Sequence, residues 1–329
     1  MIRRKYAIIG TGALGGFYGA CLQRSGIDVH FLLNKDYEYV ESHGLGVVSV
    51  DGDFHLHPVN AYCKADAMPP CDVAAIALKT TQNHLLPDLL PEVLKPGGLV
   101  LVLQNGLGVE EEIADILPSH PVMGGLCFLC ANRIGPGRIH HLGYGRITLA
   151  EYANDGRAAG ISNRMREIAS DFERAGIPVE LESDLQLARW KKLVWNVPFN
   201  GLSVVLDATT DRILASDAGR RLTIDLMRDV LEGARAQRCS IPDGFIDDMV
   251  RDTEKMQPYR TSMKIDYDEG RPMEIDSVYG SPLRVAEDHG IRLPAMRMMH
   301  DLLKYLDEHN TNASTRNSFE NHGNIAGRL

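Results

Sequence analysis

The chain carries a lysine and two asparagines whose spacing could place them on one face of a helix. Between Trp190 and Asn200, Lys192 is followed by Asn196 and Asn200 at intervals of four residues. In a helix these positions drift by only about 80° in total and span about 12 Å. Because burying polar groups is costly unless they have partners, this row could bind a ligand with a carbonyl, a hydroxyl and a carboxylate. The alternative is a solvated lysine beside two structural asparagines.

A glycine-rich stretch near the N-terminus has the spacing of a dinucleotide-binding turn. Residues 5–10 predict a buried strand and residues 13–25 predict an apolar helix. Between them lies the pattern GxGxxG, formed by Gly10, Thr11, Gly12, Ala13, Leu14 and Gly15. Such glycines permit a tight turn and let a pyrophosphate approach the positive end of the helix. The alternative is a glycine-rich turn with only a structural role.

The end of the second predicted strand, residues 28–33, indicates which dinucleotide would bind. NAD-specific sites usually place an Asp or Glu there to hold the ribose 2′-hydroxyl. This chain has Asn34 and Lys35, with Asp36 only afterwards. A neutral donor and a cation suit a 2′-phosphate, so the sequence favours NADP (NADPH) as the cofactor. In the alternative, both side chains point into solvent and Asp36 binds the ribose.

Two more polar side chains follow predicted strands. Lys79 comes after the apolar segment 72–78, and Asn105 comes after the segment 99–103. Ligands of open α/β sheets bind at the carboxyl ends of the strands. We therefore expect both side chains to line the cofactor crevice, although Asn105 could instead be a turn residue.

The order of predicted elements defines the scaffold for these residues. Strands alternate with helices as far as residue 182, and only helices follow. This predicts an α/β, Rossmann-type dinucleotide-binding domain over residues 1–182 and an all-α substrate and catalytic domain over residues 183–308. Segments 137–142 and 146–149 are expected to extend the edge of the sheet. The polar residues 309–329 are expected to form a flexible tail.

Composition excludes several classes of partner. The chain has 329 residues, enough for two cores, and a formal net charge of -9, which argues against nucleic acid and membrane surfaces as partners. No apolar run approaches the 18 or so residues that a membrane span needs. Six scattered cysteines suit reduced thiols in a cytoplasmic protein. The pair Cys127 and Cys130 has no second pair and no nearby histidine, so no metal site is expected.

With these pieces placed, the chain resembles the ketopantoate reductase family (2-dehydropantoate 2-reductases) from the first strand to about residue 305. Five ordered motifs carry the resemblance, and together they are far more specific than any one alone. They are GxGALG at Gly10–Gly15, a lysine after a strand at Lys79, NGxG at Asn105–Gly108, W-x-K-x-x-x-N-x-x-x-N at Trp190–Asn200, and a serine twelve residues before E-I-D at Ser262 and Glu274.

The resemblance implies a 6-phosphogluconate-dehydrogenase-like fold and the reduction of ketopantoate to pantoate by NADPH, in pantothenate and coenzyme A biosynthesis. Lys192 would donate the proton, and Glu274 would contact the cofactor and the reacting centre. Lys79 would lie near the nicotinamide or its ribose, and Ala131 would make a backbone contact to the cofactor. Four side chains would hold the substrate: Asn105, which would also contact the cofactor, Asn196, Asn200 and Ser262. The implied partner is a small-molecule 2-oxo acid, and a homodimer is compatible with the family.

The chain departs from the family pattern at four positions. Asn34 stands where a phosphate-binding arginine is common, which leaves Lys35 to carry the NADP preference. Pro198 lies between the two asparagines of the helical motif and is expected to favour a kink. Tyr279 replaces a frequent polar residue, and Thr210 falls where a substrate-contacting asparagine is common.

Two alternative functions stay open on this evidence. One is an NADPH-dependent reductase of another branched 2-oxo acid, and the other is a non-catalytic NADP-binding sensor on the same fold. The pair Lys192 and Glu274 argues against the sensor, since a protein that only binds NADP needs no proton donor.

Overall fold

The computed structural model of the chain describes residues 4–154 and 156–323, and it describes side chains as far as residue 310. The chain divides into two compact units, Met1–Ala188 and Arg189–Leu329. The division falls after the first turn of a helix, where Leu185 and Ala188 pack into one apolar cluster with Leu126 and Ala150. This packing explains why the first unit extends beyond the predicted boundary at residue 182.

The first unit is built on one ten-stranded sheet. Its strands are β1 (Lys5–Ile9), β2 (Asp28–Leu32), β3 (Leu45–Ser49), β4 (Phe54–Leu56), β5 (Asn60–Tyr62), β6 (Cys71–Ile76), β7 (Leu94–Val102), β8 (Val122–Gly135), β9 (Arg138–Glu151) and β10 (Val179–Leu181). Its helices are α1 (Ala13–Arg24), α2 (Tyr37–His43), α3 (Leu86–Val93), α4 (Val109–Ile116) and α5 (Asn163–Arg174).

Six parallel strands form the dinucleotide-binding part of the sheet, in the order β5-β2-β1-β6-β7-β8. On one side of β1 lie β2 and β5, and on the other side lie β6, β7 and β8, while β3 and β4 lie at the far edge beyond β9. The direction of winding therefore reverses between β1 and β6, which is where doubly wound sheets bind ligands. The predicted Rossmann-type fold is confirmed.

The strands of this sheet carry apolar side chains on both faces, as expected for parallel strands that are flanked by helices on both sides. Along β1, Tyr6 and Ile8 enter a cluster that contains residues of α1 and α5, while Ala7 and Ile9 enter a second cluster with residues of α3 and α4. This alternation follows from the two-residue period of a strand.

The hairpin formed by β8 and β9 differs from the prediction. The predicted strands 137–142 and 146–149 are parts of the single strand β9, which pairs antiparallel with β8 through several register shifts. One shift adjoins Gly143, Tyr144 and Gly145, all of which have positive φ, and this irregularity made one strand resemble two in the sequence. The strand also does not end the sheet, because β3 pairs with β9 and β4 pairs with β3.

The described part of the second unit consists of helices and their connections. It contains most of α6 (Leu185–Val205), then α7 (Thr210–Ala215), α8 (Asp217–Ala236), α9 (Gly244–Glu254), α10 (Ser262–Asp268), a π-helical turn (Asp276–Gly280), α11 (Ser281–Asp288) and α12 (Pro294–Gly323). The residues after Ile275 thus form a π turn that continues directly into α11. None of the described helices is long and apolar enough to cross a membrane.

The predicted tail, residues 309–329, lies partly within α12. The backbone of this helix continues to Gly323. Residues 324–329 lie outside the described residues, so the flexibility expected of the tail stays a prediction.

Candidate active site

The glycine-rich turn connects the end of β1 to the start of α1. Gly10 has a φ of +97°, and a side chain there would lie 2.6 Å from the Leu78 backbone nitrogen. A side chain at Gly15 would lie 2.3 Å from the Gly10 carbonyl oxygen. Thr11 Oγ1 donates to the Leu32 carbonyl at the end of β2, 3.0 Å away. The fold itself therefore requires Gly10 and Gly15, and it holds the turn between β1, β2 and the loop after β6.

Gly12 is different, because the fold does not require a glycine there. It caps α1 with an ordinary extended conformation, φ -84° and ψ -156°, and a side chain would meet nothing within 4 Å. No side chain caps this helix, and its first turn has no acidic residue. The open space before an uncapped helix N-terminus matches the approach of a pyrophosphate, so these residues suit a dinucleotide.

The loops that carry Lys79 and Asn105 meet the glycine-rich turn at Leu78. Gly10 approaches the Leu78 backbone directly, and Gln104 Nε2 donates to the Leu78 carbonyl across 3.0 Å. Lys79 follows Leu78 in the chain and Asn105 follows Gln104, and both side chains are half-buried. The structure thus brings three predicted site segments of the first unit together at the carboxyl ends of β1, β6 and β7.

A buried polar network that the sequence did not reveal holds these loops. Gln104 Nε2 also donates to Asn83 Oδ1 across 2.6 Å, and Asn83 Nδ2 donates to Glu112 Oε2 across 2.7 Å. The network joins the end of β7 to the 3₁₀ helix after Lys79 and to the first turn of α4. Its members are 21 and 29 residues apart, so no local pattern could have indicated it.

The loop after β2 exposes Asn34 and Lys35 but buries Asp36. Arg133 Nη1 donates to both carboxylate oxygens of Asp36 at 2.7 Å, and the Gly137 amide donates to Oδ2 at 3.2 Å. Asp36 is therefore committed to the tip of the β8–β9 hairpin, which weighs against its binding a ribose. Ala131, on β8, lies two residues before Arg133 and is half-buried opposite His141.

In the second unit, α6 carries Lys192, Asn196 and Asn200. These three polar side chains are only 7%, 7% and 4% exposed. Two tryptophans anchor the helix: Trp190 Nε1 donates to Gln237 Oε1 at 2.8 Å, and Trp195 Nε1 donates to Thr253 Oγ1 at 3.0 Å. The predicted row is thus a buried row, and the alternative of a solvated lysine is wrong.

Lys191, the neighbour of Lys192, is half-buried. It lies about 100° away around the helix from Lys192. Its side chain also has interactions within the fold.

Ser262 is the first residue of α10 and is connected to α6 through two hydroxyl groups. Thr261 caps α10, and its Oγ1 lies 2.7 Å from Ser203 Oγ. Ser203 Oγ in turn lies 3.0 Å from the Asn200 carbonyl oxygen, to which it donates. These hydrogen bonds join the residue before Ser262 to the backbone of Asn200 on α6, within the second unit.

Glu274 is buried and lies two residues before the π turn Asp276–Gly280. Its carbonyl accepts from the Val278 amide and from Ser277 Oγ, both at 3.3 Å. π turns are rare, and those that occur are often found at functional sites. This geometry therefore supports a functional role for the segment that contains Glu274.

Thr210, one of the four departures from the family pattern, is a further candidate for the site. Its hydroxyl is fully buried and has no hydrogen-bond partner among the described residues. Its backbone amide donates to the Tyr259 carbonyl at 3.2 Å, which places it beside the segment that leads to Ser262. A buried hydroxyl without a partner is costly, so a ligand would stabilise it. The only signal in the sequence was the family position that Thr210 occupies.

Comparison with known proteins places this geometry in a family. One family model, Ketopantoate reductase PanE/ApbA, matches residues 6–154, and a second, Ketopantoate reductase PanE/ApbA C terminal, matches residues 184–307. A 2-dehydropantoate 2-reductase from Nostoc sp. is 58% identical over 94% of this chain and 97% of its own. The chain belongs to the ketopantoate reductase family.

Solved structures support the assignment to the ketopantoate reductase family. A 2-dehydropantoate 2-reductase from Geobacter metallireducens has a TM-score of 0.87 and 43% identity, covering 92% of this chain and 99% of its own. A ternary structure of D-mandelate dehydrogenase with NADH and anilino(oxo)acetate has a TM-score of 0.82 at 18% identity, which shows a shared fold. It covers 93% of this chain and 99% of its own.

Proposed function

We propose that this ketopantoate reductase family member reduces ketopantoate to pantoate with NADPH, a step of pantothenate and coenzyme A biosynthesis. The observation that carries the proposal is the buried row of Lys192, Asn196 and Asn200 on α6 in a chain of this family. The ammonium of Lys192 and the two carboxamides offer hydrogen-bond donors in one row, and these match the carbonyl, carboxylate and hydroxyl oxygens of a 2-oxo acid that carries a hydroxyl.

Lys192 is the proton donor in this proposal. The nicotinamide cofactor, when bound, supplies the hydride that reduces the C2 carbonyl. The ammonium of Lys192 stabilises the negative charge that develops on the carbonyl oxygen and transfers one proton to it, leaving the alcohol and a neutral amine. Glu274 contacts the cofactor and the reacting centre.

The other proposed contacts orient the substrate. Asn105, Asn196, Asn200 and Ser262 bind its carboxylate and hydroxyl groups. Such contacts contribute to rate mainly by holding the carbonyl in a reactive position. Asn105 belongs to the first unit, and Asn196, Asn200 and Ser262 belong to the second.

The proposed cofactor is a nicotinamide dinucleotide bound by Gly10–Gly15, with Lys79, Asn105 and Ala131 as further contacts. NADPH is favoured over NADH because Asn34 and Lys35 are exposed after β2, while Asp36 is held by Arg133. A 2′-phosphate would therefore meet a neutral donor and a cation, and the acid that could bind a ribose hydroxyl is already engaged.

Replacing Lys35 tests the cofactor preference. Lys35→Ala should raise the KM for NADPH by about 10-fold and leave kcat almost unchanged, since a charge-assisted contact is worth about 1.5–3 kcal/mol and this one is exposed. The KM for NADH should not change, and Lys64→Ala, another exposed lysine of the same unit, should behave like the unmutated enzyme. Equal or better use of NADH by the unmutated protein would contradict the preference.

The test of the function is NADPH oxidation with ketopantoate and a panel of branched 2-oxo acids. Ketopantoate should give the highest kcat/KM. A higher value for another oxo acid would transfer the proposal to that substrate, a result that Thr210 and Pro198 make worth testing because both depart from the family pattern. NADPH binding without turnover of any oxo acid would favour the sensor.

We further propose a cytoplasmic homodimer. Free cysteines suit a reducing compartment. Met298, Leu302 and Tyr305 are exposed apolar side chains at helical spacing on α12, and a second copy of the chain could cover them. Light scattering should give twice the chain mass, Leu302→Glu should lower it to the monomer, and Lys304→Glu on the same helix should not. A monomeric unmutated protein would refute the dimer.

A further inference from the structure

Helix α6, which carries the proposed substrate contacts Asn196 and Asn200, lacks one backbone hydrogen bond near them. Pro198 lies within α6, between Asn196 and Asn200. Proline has no amide hydrogen, so the Val194 carbonyl lacks the helical bond that residue 198 would normally give it. The helix is nevertheless continuous from Leu185 to Val205. Something outside the helix must therefore help to hold this turn in shape.

Tyr279 contacts the helix at the next pair of backbone groups. Its hydroxyl donates to the Val197 carbonyl across 2.8 Å. The same hydroxyl lies against Gly201, where a side chain would come within 2.7 Å of it, and the Gly201 amide faces it. In a regular helix the carbonyl of Val197 and the amide of Gly201 face each other across one turn. The hydroxyl of Tyr279 thus contacts both backbone groups of the turn that contains Pro198 and Asn200.

The Tyr279 hydroxyl is tightly packed against α6. Tyr279 is completely buried. A side chain at Gly201 would lie 2.7 Å from the Tyr279 hydroxyl and 2.7 Å from Met299 Sδ, so only glycine permits the approach. Burial raises the pKa of the Tyr279 phenol far above its ordinary value, although the Gly201 amide opposes the shift. The phenol therefore keeps its proton at every physiological pH and remains a donor.

The position of Tyr279 also connects α6 with Glu274. Tyr279 lies in the π turn Asp276–Gly280, and two residues of this turn, Ser277 and Val278, donate to the Glu274 carbonyl. An ion pair between Asp276 and Arg284, with N–O distances of 2.9 and 3.0 Å, closes the outer side of this turn. One short segment thus carries both Glu274, the proposed catalytic residue, and Tyr279, which contacts α6.

We propose that Tyr279 is a positioning residue for the 2-oxo acid: its hydroxyl fixes the turn around Pro198 and thereby the direction of Asn200 relative to Asn196 and Lys192. The inference rests on the proposed function, because it assigns a role within that substrate site. It adds a residue that touches neither substrate nor cofactor. The π turn and the proline act together, since Pro198 weakens the turn that Tyr279 supports.

The test is Tyr279→Phe, which removes a single oxygen atom. The KM for ketopantoate should rise about 10-fold, as expected when two buried backbone groups lose a shared partner. The change in kcat should be smaller, and the dissociation constant for NADPH should stay the same. Tyr18→Phe is the matched control: Tyr18 is equally buried and its hydroxyl donates to the Gly145 carbonyl, 3.2 Å away, in the first unit. It should lower Tm without changing the KM.

A second variant separates positioning from stability. Pro198→Ala restores an amide hydrogen to the turn, so in the Tyr279→Phe background it should return the KM for ketopantoate toward its original value. An active enzyme whose Tyr279→Phe variant keeps its KM would overturn the inference and leave the proposed function intact. A KM that rises but is not rescued would also overturn it. An unmutated protein that reduces no 2-oxo acid would remove the proposed function and this inference together.

Discussion

Lys192→Ala should lower kcat for ketopantoate by about 10²–10⁴-fold, the usual size of a lost general acid. Lys192 is the member of the buried row on α6 that can both stabilise the developing negative charge and release a proton. The dissociation constant for NADPH should change little, because the glycine-rich turn belongs to the other unit. Stopped-flow measurement of NADPH oxidation and fluorescence titration of NADPH give the two quantities separately.

Two variants sharpen this result. Lys192→Arg keeps the positive charge but cannot release a proton, since arginine stays protonated in proteins, and it should remain strongly impaired. Lys191→Ala removes the adjacent half-buried lysine, which lies about 100° around the helix, and it should change kcat by only a few-fold. Similar losses at Lys191 and Lys192 would place the reaction on a different helix face. A normal rate for Lys192→Ala would exclude it as the proton donor.

Gly12→Val should raise the dissociation constant for NADPH by about 10–100-fold while the protein stays folded. The side chain would enter the open space before α1, where nothing in the fold lies within 4 Å. It would keep a pyrophosphate from the first amides of the helix, and hydrogen bonds to charged groups contribute about 1.5–3 kcal/mol each. Fluorescence titration with NADPH and a thermal melt without cofactor measure the two effects.

Two other glycines provide controls for Gly12. Gly244, the first residue of α9, also has open space around it, so Gly244→Val should leave both Tm and NADPH affinity unchanged. Gly15→Ala should instead lower Tm, because its new methyl group would lie 2.3 Å from the Gly10 carbonyl. Unchanged NADPH affinity in Gly12→Val would mean that the cofactor's phosphates lie elsewhere.

The elements that could be predicted from the sequence are those that depend on residues close together in the chain. The strand, glycine-rich turn and helix at the N-terminus were predicted almost to the residue, because glycine spacing and an apolar run are local signals. The hairpin of β3 and β4 also depends on a local signal, the turn sequence Asp51-Gly52. The start of α5 is likewise set by a neighbouring residue: its cap is Ser162, whose Oγ accepts from the Met165 amide.

The roles that could not be predicted are those of side chains whose partners lie far away in the sequence. Arg133 and Asp36 are 97 residues apart, and Tyr279 and Val197 are 82 residues apart. Both pairs exist because the sheet or the helices bring remote segments together. The burial of Lys192 likewise depends on the surrounding tertiary structure. Residue types and spacing could therefore suggest candidates for the site, but their burial and their partners required the fold.

The π turn Asp276–Gly280 has a consequence for how this protein can evolve. A π turn holds about one residue more than an α-helical turn, so deleting a residue here would convert it to an ordinary turn. Each residue of helix corresponds to about 100° of rotation, so Glu274 would turn away from its present direction relative to α11. We therefore expect descendants of this gene to accept substitutions between Glu274 and Ser281 more readily than a change in length. The hairpin tip at Asp51-Gly52, where the chain is exposed, should tolerate insertions and deletions instead.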